Sequence, residues 1–270
     1  MNKLKNPRAA ASQFYPLFAR DLRSTSINCR FLSTKAMEKE RFTELKGLDH
    51  PDRRTDLYHR LRIGPIKKLY KYITPTATSL AGGSPMDSTF PFSGVTVQLK
   101  EPGDQFSLEN SKGLKLNYHR GDGIPPMKEW VVNHIKSVHN PPVEFDVCPT
   151  VGSTDALTKT MMLLKTDYVM FDQYAYGAAV NTCYVLGRKT AGVPVDEFGM
   201  IPDKLVESVL TLRQAGHTVN AVYLCPIGQN PMGFTMTENR KQELYKACQE
   251  LDLVIIEDGM SFHFRSSPFS

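Results

Sequence analysis

From about residue 144 onward the chain alternates between solid apolar runs and segments with helical spacing. Tyr168–Asp172 (YVMFD), Val219–Cys225 (VNAVYLC) and Leu251–Glu257 (LDLVIIE) are continuous apolar runs, Thr190–Val195 is a shorter one, and Phe145–Cys148 reads as a further strand. Between them, Ala156, Leu157, Met161 and Leu164 recur at helical intervals behind Gly152, and residues 177–186 and 237–250 read as helices. Pro202 stands at a first-turn position, followed by Leu205, Val206, Val209 and Leu212, with Gly216 just past the end. Strands covered on both faces lose their polar alternation. Runs of this kind separated by helices therefore predict an α/β fold, a three-layer α/β/α arrangement around a mostly parallel sheet. Ligands of such sheets bind beyond the carboxyl ends of the strands. That singles out residues 152–154, 172–176 and 228–233, and Asp258.

Upstream the pattern is less regular. Residues 125–139 (PPMKEWVVNHIKSVH) predict a helix with Met127, Trp130, Val131, His134 and Ile135 on one buried face. Residues 50–72 mix Arg and Lys with Leu57, Leu61, Ile66 and Leu69, which predicts a short amphipathic helix broken at Gly64-Pro65 with its charges solvated. Residues 75–125 are rich in Gly, Pro, Ser and Asp and read as surface loops. No internal repeat is visible.

Composition narrows the picture. The chain has 270 residues, 41% hydrophobic and 23% charged, the balance of a globular protein. No apolar run approaches the roughly 18 residues of a spanning helix, so no membrane association is expected. The net charge is +5, yet the first 40 residues hold eight Lys/Arg against three acids, and the rest hold 25 of each. The surplus belongs to a leader, and nothing in the remainder calls for a nucleic-acid partner. Residues 1–36 are Arg-rich, Ser-rich and acid-poor, the composition of a mitochondrial transit peptide; a disordered tail ahead of a cytoplasmic domain fits as well. The division expected is a leader over 1–40, an N-terminal arm with loops over 41–115, and a partial cofactor-binding large domain over 116–270. Five scattered cysteines without a C-x-x-C spacing point to reduced thiols, with no disulfide framework and no metal site.

The strand-end residues suggest chemistry when taken together. Gly152-Ser153-Thr154 opens a helix, whose free N–H groups and positive end suit a phosphate, although a plain N-cap reads the same way. Tyr176 can lay its ring on a planar ligand or simply pack. Asn230 in Asn230-Pro231-Met232-Gly233 can aim an amide at a ligand oxygen or serve a turn. Asp258 ends an apolar strand, where a carboxylate can keep a ring nitrogen protonated or cap a helix. A phosphate cup, a stacking ring, an amide and a ring-nitrogen carboxylate describe a site for pyridoxal phosphate.

The same stretches resemble the fold-type I, class I/II aminotransferases, in the branch of aromatic-amino-acid, kynurenine and 2-aminoadipate aminotransferases. They are residues 79–85 (SLAGGSP) with Phe90-Pro91-Phe92, Tyr118 followed by residues 121–126, His139-Asn140-Pro141-Pro142, Gly152-Ser153, residues 226–233 (PIGQNPMG) and residues 254–258 (VIIED). They span about residues 57–260 in the family's order. The resemblance implies that Ser153 and Thr154 hold the cofactor phosphate, Tyr176 stacks on the pyridine ring, Asn230 meets the ring hydroxyl and Asp258 pairs with the pyridine nitrogen. Tyr118 resembles the tyrosine that reaches the phosphate of a neighbouring subunit, which implies a homodimer. Gly82 and Gly83 resemble glycines lining the substrate side. The implied reaction passes an amino group from an aromatic or 2-aminoadipate-like amino acid to a 2-oxo acid.

Departures accompany the match. Ser261 replaces the family's tyrosine three residues after the aspartate, Tyr174 replaces the proline before Tyr176, and the turn before Tyr168 lacks the usual Asn-Pro-Gly-Asp. Residues 259–270 (GMSFHFRSSPFS) contain no lysine, whereas the resemblance places a Schiff-base lysine after the aspartate strand. No catalytic residue is assigned, and the chain as it stands is expected to be truncated and inactive. The alternative is a non-catalytic pseudo-aminotransferase acting as a binding or interaction protein. An unrelated nucleotide-binding domain is disfavoured, because no G-x-G-x-x-G follows a strand.

Overall fold

A computed structural model describes residues 50–72, 74, 76, 80, 83–100, 105–109, 116–119 and 121–259. All of them fall in one compact unit, Leu45–Ser270. The expected leader over 1–40 lies outside the described residues.

A 3-10 turn over Pro51–Arg53 is followed by two short helices, α1 (Asp56–Arg60) and α2 (Pro65–Leu69), divided ahead of Pro65 as the sequence indicates. The expected loop region instead contains an antiparallel hairpin, β1 (Gly94–Gln98) with β2 (Gln105–Glu109), in which Thr96 and Ser107 meet across the strands at 2.9 Å. Its side chains are mostly exposed, so no buried face marks it out in the sequence. Helix α3 (Pro125–His139) follows, ended by Asn140 in the left-handed conformation. No residue of α3 is buried and Trp130 is 66% exposed, which corrects the expected buried face; Trp130 stacks on His134 instead, 5.3 Å apart. The expected strand at 145–148 is irregular backbone.

Beyond residue 150 prediction and structure converge. Helix α4 (Ser153–Leu163), β3 (Tyr168–Asp172), α5 (Gly177–Val185), β4 (Lys189–Val193), a small hairpin of β5 (Val195–Asp196) and β6 (Gly199–Met200), α6 (Pro202–Gln214), β7 (Val219–Leu224), α7 (Glu238–Glu250) and β8 (Val254–Glu257) follow in turn. The main sheet has the order β4-β3-β7-β8 and all three of its pairings are parallel. The last strand is shorter at its start than the apolar run implies, because Leu251 and Leu253 pack into the core from the turn before it.

Strand alternation deals the core residues to two faces. Met170, Val222 and Leu224 point into one cluster with Leu205 and Val209 of α6 and Leu244 and Cys248 of α7. Val169, Phe171, Ala221 and Tyr223 point into the other, with Leu157 and Met161 of α4 and Ala179 and Cys183 of α5. The four described cysteines are free thiols, and burial pushes Cys183 up to about 11 and Cys248 up to about 12, as expected for inert core positions. Among the described residues no helix is long and apolar enough to cross a membrane, and no group of side chains could hold a metal ion.

The β5–β6 hairpin is clamped by Arg240 from the first turn of α7. Its guanidinium grips both carboxylate oxygens of Asp196 at 2.8 Å and reaches the carbonyls of Gly199 and Met200 at 3.1 and 3.0 Å. Gly199 sits at φ +101, and a Cβ there would lie 2.8 Å from the Phe234 ring, so only glycine fits the turn. Arg240→Ala should cost about 2 kcal/mol, because it leaves a planar two-toothed pair and two carbonyls without their donor. Urea denaturation checks this; an unchanged midpoint would show the clamp to be dispensable.

Candidate active site

The parallel sheet fixes which residues can meet. Each strand delivers its last residue to the same edge, and α4, joined to β3 by a short turn at its carboxyl end, therefore brings its amino end to that edge too. Gly152 caps α4 at φ +86 without a side-chain hydrogen bond, and Ser153 and Thr154 lie exposed in the first turn. The N–H groups of a first turn have no intrahelical acceptor, so this end can receive an anion. Asp155 reaches back to the segment before the cap, accepting from the Val151 N–H at 3.1 Å, and pairs with Lys159. These contacts, Lys159 foremost, hold its carboxyl below the usual carboxylate range.

Strand alternation also decides the face on which each group lies. Val254 and Ile256 of β8 pack on the α4/α5 cluster, so Asp258, two residues on, continues on that side. Tyr223 of β7 faces the same way and donates its hydroxyl to Asp258 Oδ2 at 2.6 Å. The Asp258 N–H donates to the Leu224 carbonyl at 2.8 Å, extending the β7–β8 ladder by one bond. Tyr176, half-buried at the amino end of α5, packs against this same cluster. The sheet thus brings the α4 amino end, Tyr176 and Asp258 to one edge and one face.

Asn230 belongs to the loop after β7 and is exposed. Its backbone N–H is bonded to Cys225, whose thiol is pushed up chiefly by burial. The loop is braced by Gln229, which is buried. The Gln229 side-chain amide donates to Asp172 Oδ2 at 3.2 Å and to the Tyr174 carbonyl at 2.6 Å, and its oxygen accepts from the Met232 N–H at 2.9 Å. Asp172 is 3% exposed, its Oδ1 has no hydrogen-bond partner among the described residues, and burial pushes its carboxyl up to about 6. By strand parity Asp172 lies on the α6/α7 face with Met170, behind the loop.

Tyr118 is 78% exposed on a segment held by Asn117, which donates to the Pro85 carbonyl at 2.9 Å. Gly83 is in the left-handed region at φ +58 with open space around it. Gly82 and Ser261 lie outside the described residues. Nothing in the sequence marks Tyr223, Asp172 or Gln229 for the roles they take here: Tyr223 is hidden inside an apolar run, and Asp172 and Gln229 fall in strand-end segments where residue type alone shows no role.

No family model matches the chain. The chain is 32% identical over 199 residues to the bovine kynurenine/alpha-aminoadipate aminotransferase, mitochondrial, covering 67% of this chain and 46% of that protein. It is 29% identical over 203 residues to aromatic-amino-acid aminotransferase 1 of Thermococcus litoralis, covering 74% and 48%. The crystal structure of aminotransferase Aro8 from Candida albicans superposes with a TM-score of 0.67 at 27% identity, over 76% of this chain and 48% of that one. A kynurenine aminotransferase of Pyrococcus horikoshii, solved in complex with PMP, superposes with a TM-score of 0.50 at 29% identity, over 53% and 36%. The chain spans about half the length of the curated relatives it matches. On this shared sequence and fold, the chain belongs to the fold-type I, pyridoxal-phosphate-dependent aminotransferases, in the branch of the aromatic-amino-acid, kynurenine and 2-aminoadipate enzymes.

Proposed function

We propose that the protein carrying this chain binds pyridoxal phosphate and transfers the amino group of an aromatic or 2-aminoadipate-like amino acid to a 2-oxo acid. The observation that supports this best is the shared edge of the sheet, where a carboxylate fixed by a buried phenol stands on the same face as an open helix amino end and a half-buried tyrosine. This donor set fits the cofactor. Ser153 and Thr154, with the first-turn amides of α4, would hold its phosphate. Tyr176 would cover the ring, Asn230 would meet its hydroxyl, and Asp258 would hold the proton on its nitrogen. When bound, the cofactor supplies an electron-withdrawing ring and the carbonyl that carries the amino group between substrates.

The other assignments follow from the same reading. Tyr118, exposed on its segment, is suited to reach the phosphate of a second copy in a homodimer. Gly83 would line the substrate side together with Gly82. The basic, Ser-rich first 36 residues and the mitochondrial bovine relative support a mitochondrial location. The expected inactivity of these 270 residues rests on residues 259–270, which contain no lysine, and turnover by them alone would overturn it.

The test is to incubate the full-length protein with pyridoxal phosphate and 2-oxoglutarate, offer L-kynurenine, L-tyrosine or L-2-aminoadipate, and measure glutamate. Turnover with at least one donor is expected. Cofactor binding without turnover would favour the non-catalytic binding protein. Failure to bind the cofactor at all would defeat the proposal.

A further inference from the structure

A hydroxyl on a buried aromatic ring is costly unless it is paired. Tyr223 is 2% exposed, with its ring against Phe171 at 5.0 Å, in a strand where phenylalanine would fill the same space. Among the described residues its hydroxyl bonds to Asp258 Oδ2, at 2.6 Å. We propose that Tyr223 is a positioning residue that fixes the Asp258 carboxylate in the orientation needed to meet the cofactor ring nitrogen. This rests on the assignment of Asp258 to that nitrogen.

The geometry explains why the sheet makes a good holder. An aspartate side chain past the end of a strand can turn about two torsions, and a carboxylate that rotates meets a ring N–H poorly. Here the main chain of Asp258 is tied to Leu224 at 2.8 Å, and register places Glu257 opposite Leu224. One carboxylate oxygen is tied to a phenol whose ring is held by burial in the core and by the Phe171 ring beside it. Burial, reinforced by Asp258 itself, pushes the Tyr223 phenol far above its ordinary value, so it stays a donor across the working pH range. A charge-assisted bond of this length is among the stronger kinds available to a neutral donor. The result is a carboxylate with its plane set before the cofactor arrives, which is the condition for strong electrostatic recognition.

The test uses pyridoxamine phosphate, which binds without a covalent bond to the protein, and an analogue carrying CH in place of the ring nitrogen. Calorimetric titration of the full chain yields the preference for nitrogen over CH as a ratio of dissociation constants. Tyr223→Phe, which keeps the ring packing, should cut that preference roughly tenfold while affinity for the CH analogue stays unchanged. Asp258→Ala should abolish the preference. If Asp258→Ala abolishes it and Tyr223→Phe leaves it at the wild-type value, Tyr223 has no positioning role, although the Asp258 assignment stands. If Asp258→Ala keeps it, the Asp258 assignment fails and the role of Tyr223 fails with it. No binding of pyridoxamine phosphate by the wild-type chain overturns both. Thermal melting of the two variants verifies that they fold; should Tyr223→Phe melt early, Tyr223→Met replaces it with the same expectation.

Discussion

Asp172→Asn should raise the melting temperature at pH 8 by roughly 5 °C and leave it almost unchanged at pH 4.5. Asp172 is a buried carboxyl with one oxygen on the Gln229 amide and the other unpartnered, and no cation pairs with it among the described residues. Burial pushes it up to about 6, whereas an exposed aspartate in the unfolded chain titrates near 3.9. The sign follows from linkage. A group whose folded value is raised contributes its stability below the unfolded value, and that contribution is lost as the pH rises through the folded one. The window is therefore about pH 4 to 6, and above it the ionised carboxylate costs about 3 kcal/mol. An amide at the same place can still accept from Gln229 but buries an unpaired N–H, which gives back about 1 kcal/mol. The net gain at pH 8 is then about 2 kcal/mol. An equal shift at both pH values would mean that ionisation is not what Asp172 costs.

Arg53→Ala should lose about 3 kcal/mol of stability and leave pyridoxamine phosphate affinity untouched. Arg53 is 3% exposed, and its guanidinium meets both the carboxylate and the carbonyl of Asp252 at 2.5 Å. Its own carbonyl accepts from the Lys165 N–H at 2.8 Å, and the next residues bond to the end of α4 through Thr55, to the Leu163 carbonyl at 2.9 Å and the Met162 carbonyl at 2.8 Å. The N-terminal arm is thus stitched to the turns after α4 and α7. Those turns lie where the strands begin, at the edge opposite Asp258. The cost combines the packing of a buried side chain with the loss of a charge-assisted pair and of the donor to the Asp252 carbonyl. Separation by the length of the strands predicts no effect on the cofactor edge. Urea midpoints and calorimetric titration read the two quantities separately. A cofactor affinity that falls together with stability would contradict the division of labour between the two edges.

The recognisable parts of the site were those encoded locally. Gly152-Ser153 and Thr154 announce a helix amino end because glycine and small hydroxyl residues suit a cap, and Asp258 stands out as a charge ending an apolar run. Tyr223 carried no such mark. In VNAVYLC an aromatic residue is expected core, and what makes it a partner of Asp258 is the pairing of β7 with β8, a relation between residues 35 apart. Gln229 was visible only as part of a turn. Its role as a brace depends on Asp172 and Tyr174, which reach it from the end of β3, and Tyr174 takes part through its carbonyl, whatever its side chain.

Periodicity by itself marked residues 125–139 as helical and the apolar runs over 168–172, 219–225 and 251–257 as strands, the last of which forms only over Val254–Glu257, because apolar spacing reflects backbone geometry that each segment adopts locally. Whether a face is covered is a different matter. The apolar positions of α3 predict burial, yet Met127 and Trp130 stand exposed, since covering them requires a partner that spacing cannot supply. The strand runs likewise imply a parallel sheet but not its order. Tertiary structure alone decided that β7 lies between β3 and β8, and with that order it decided that a buried phenol, a carboxylate, a half-buried tyrosine and an open helix end share one edge. The reason is physical: side-chain periodicity records how a segment meets an apolar environment, while a site is made by which segments are hydrogen-bonded side by side.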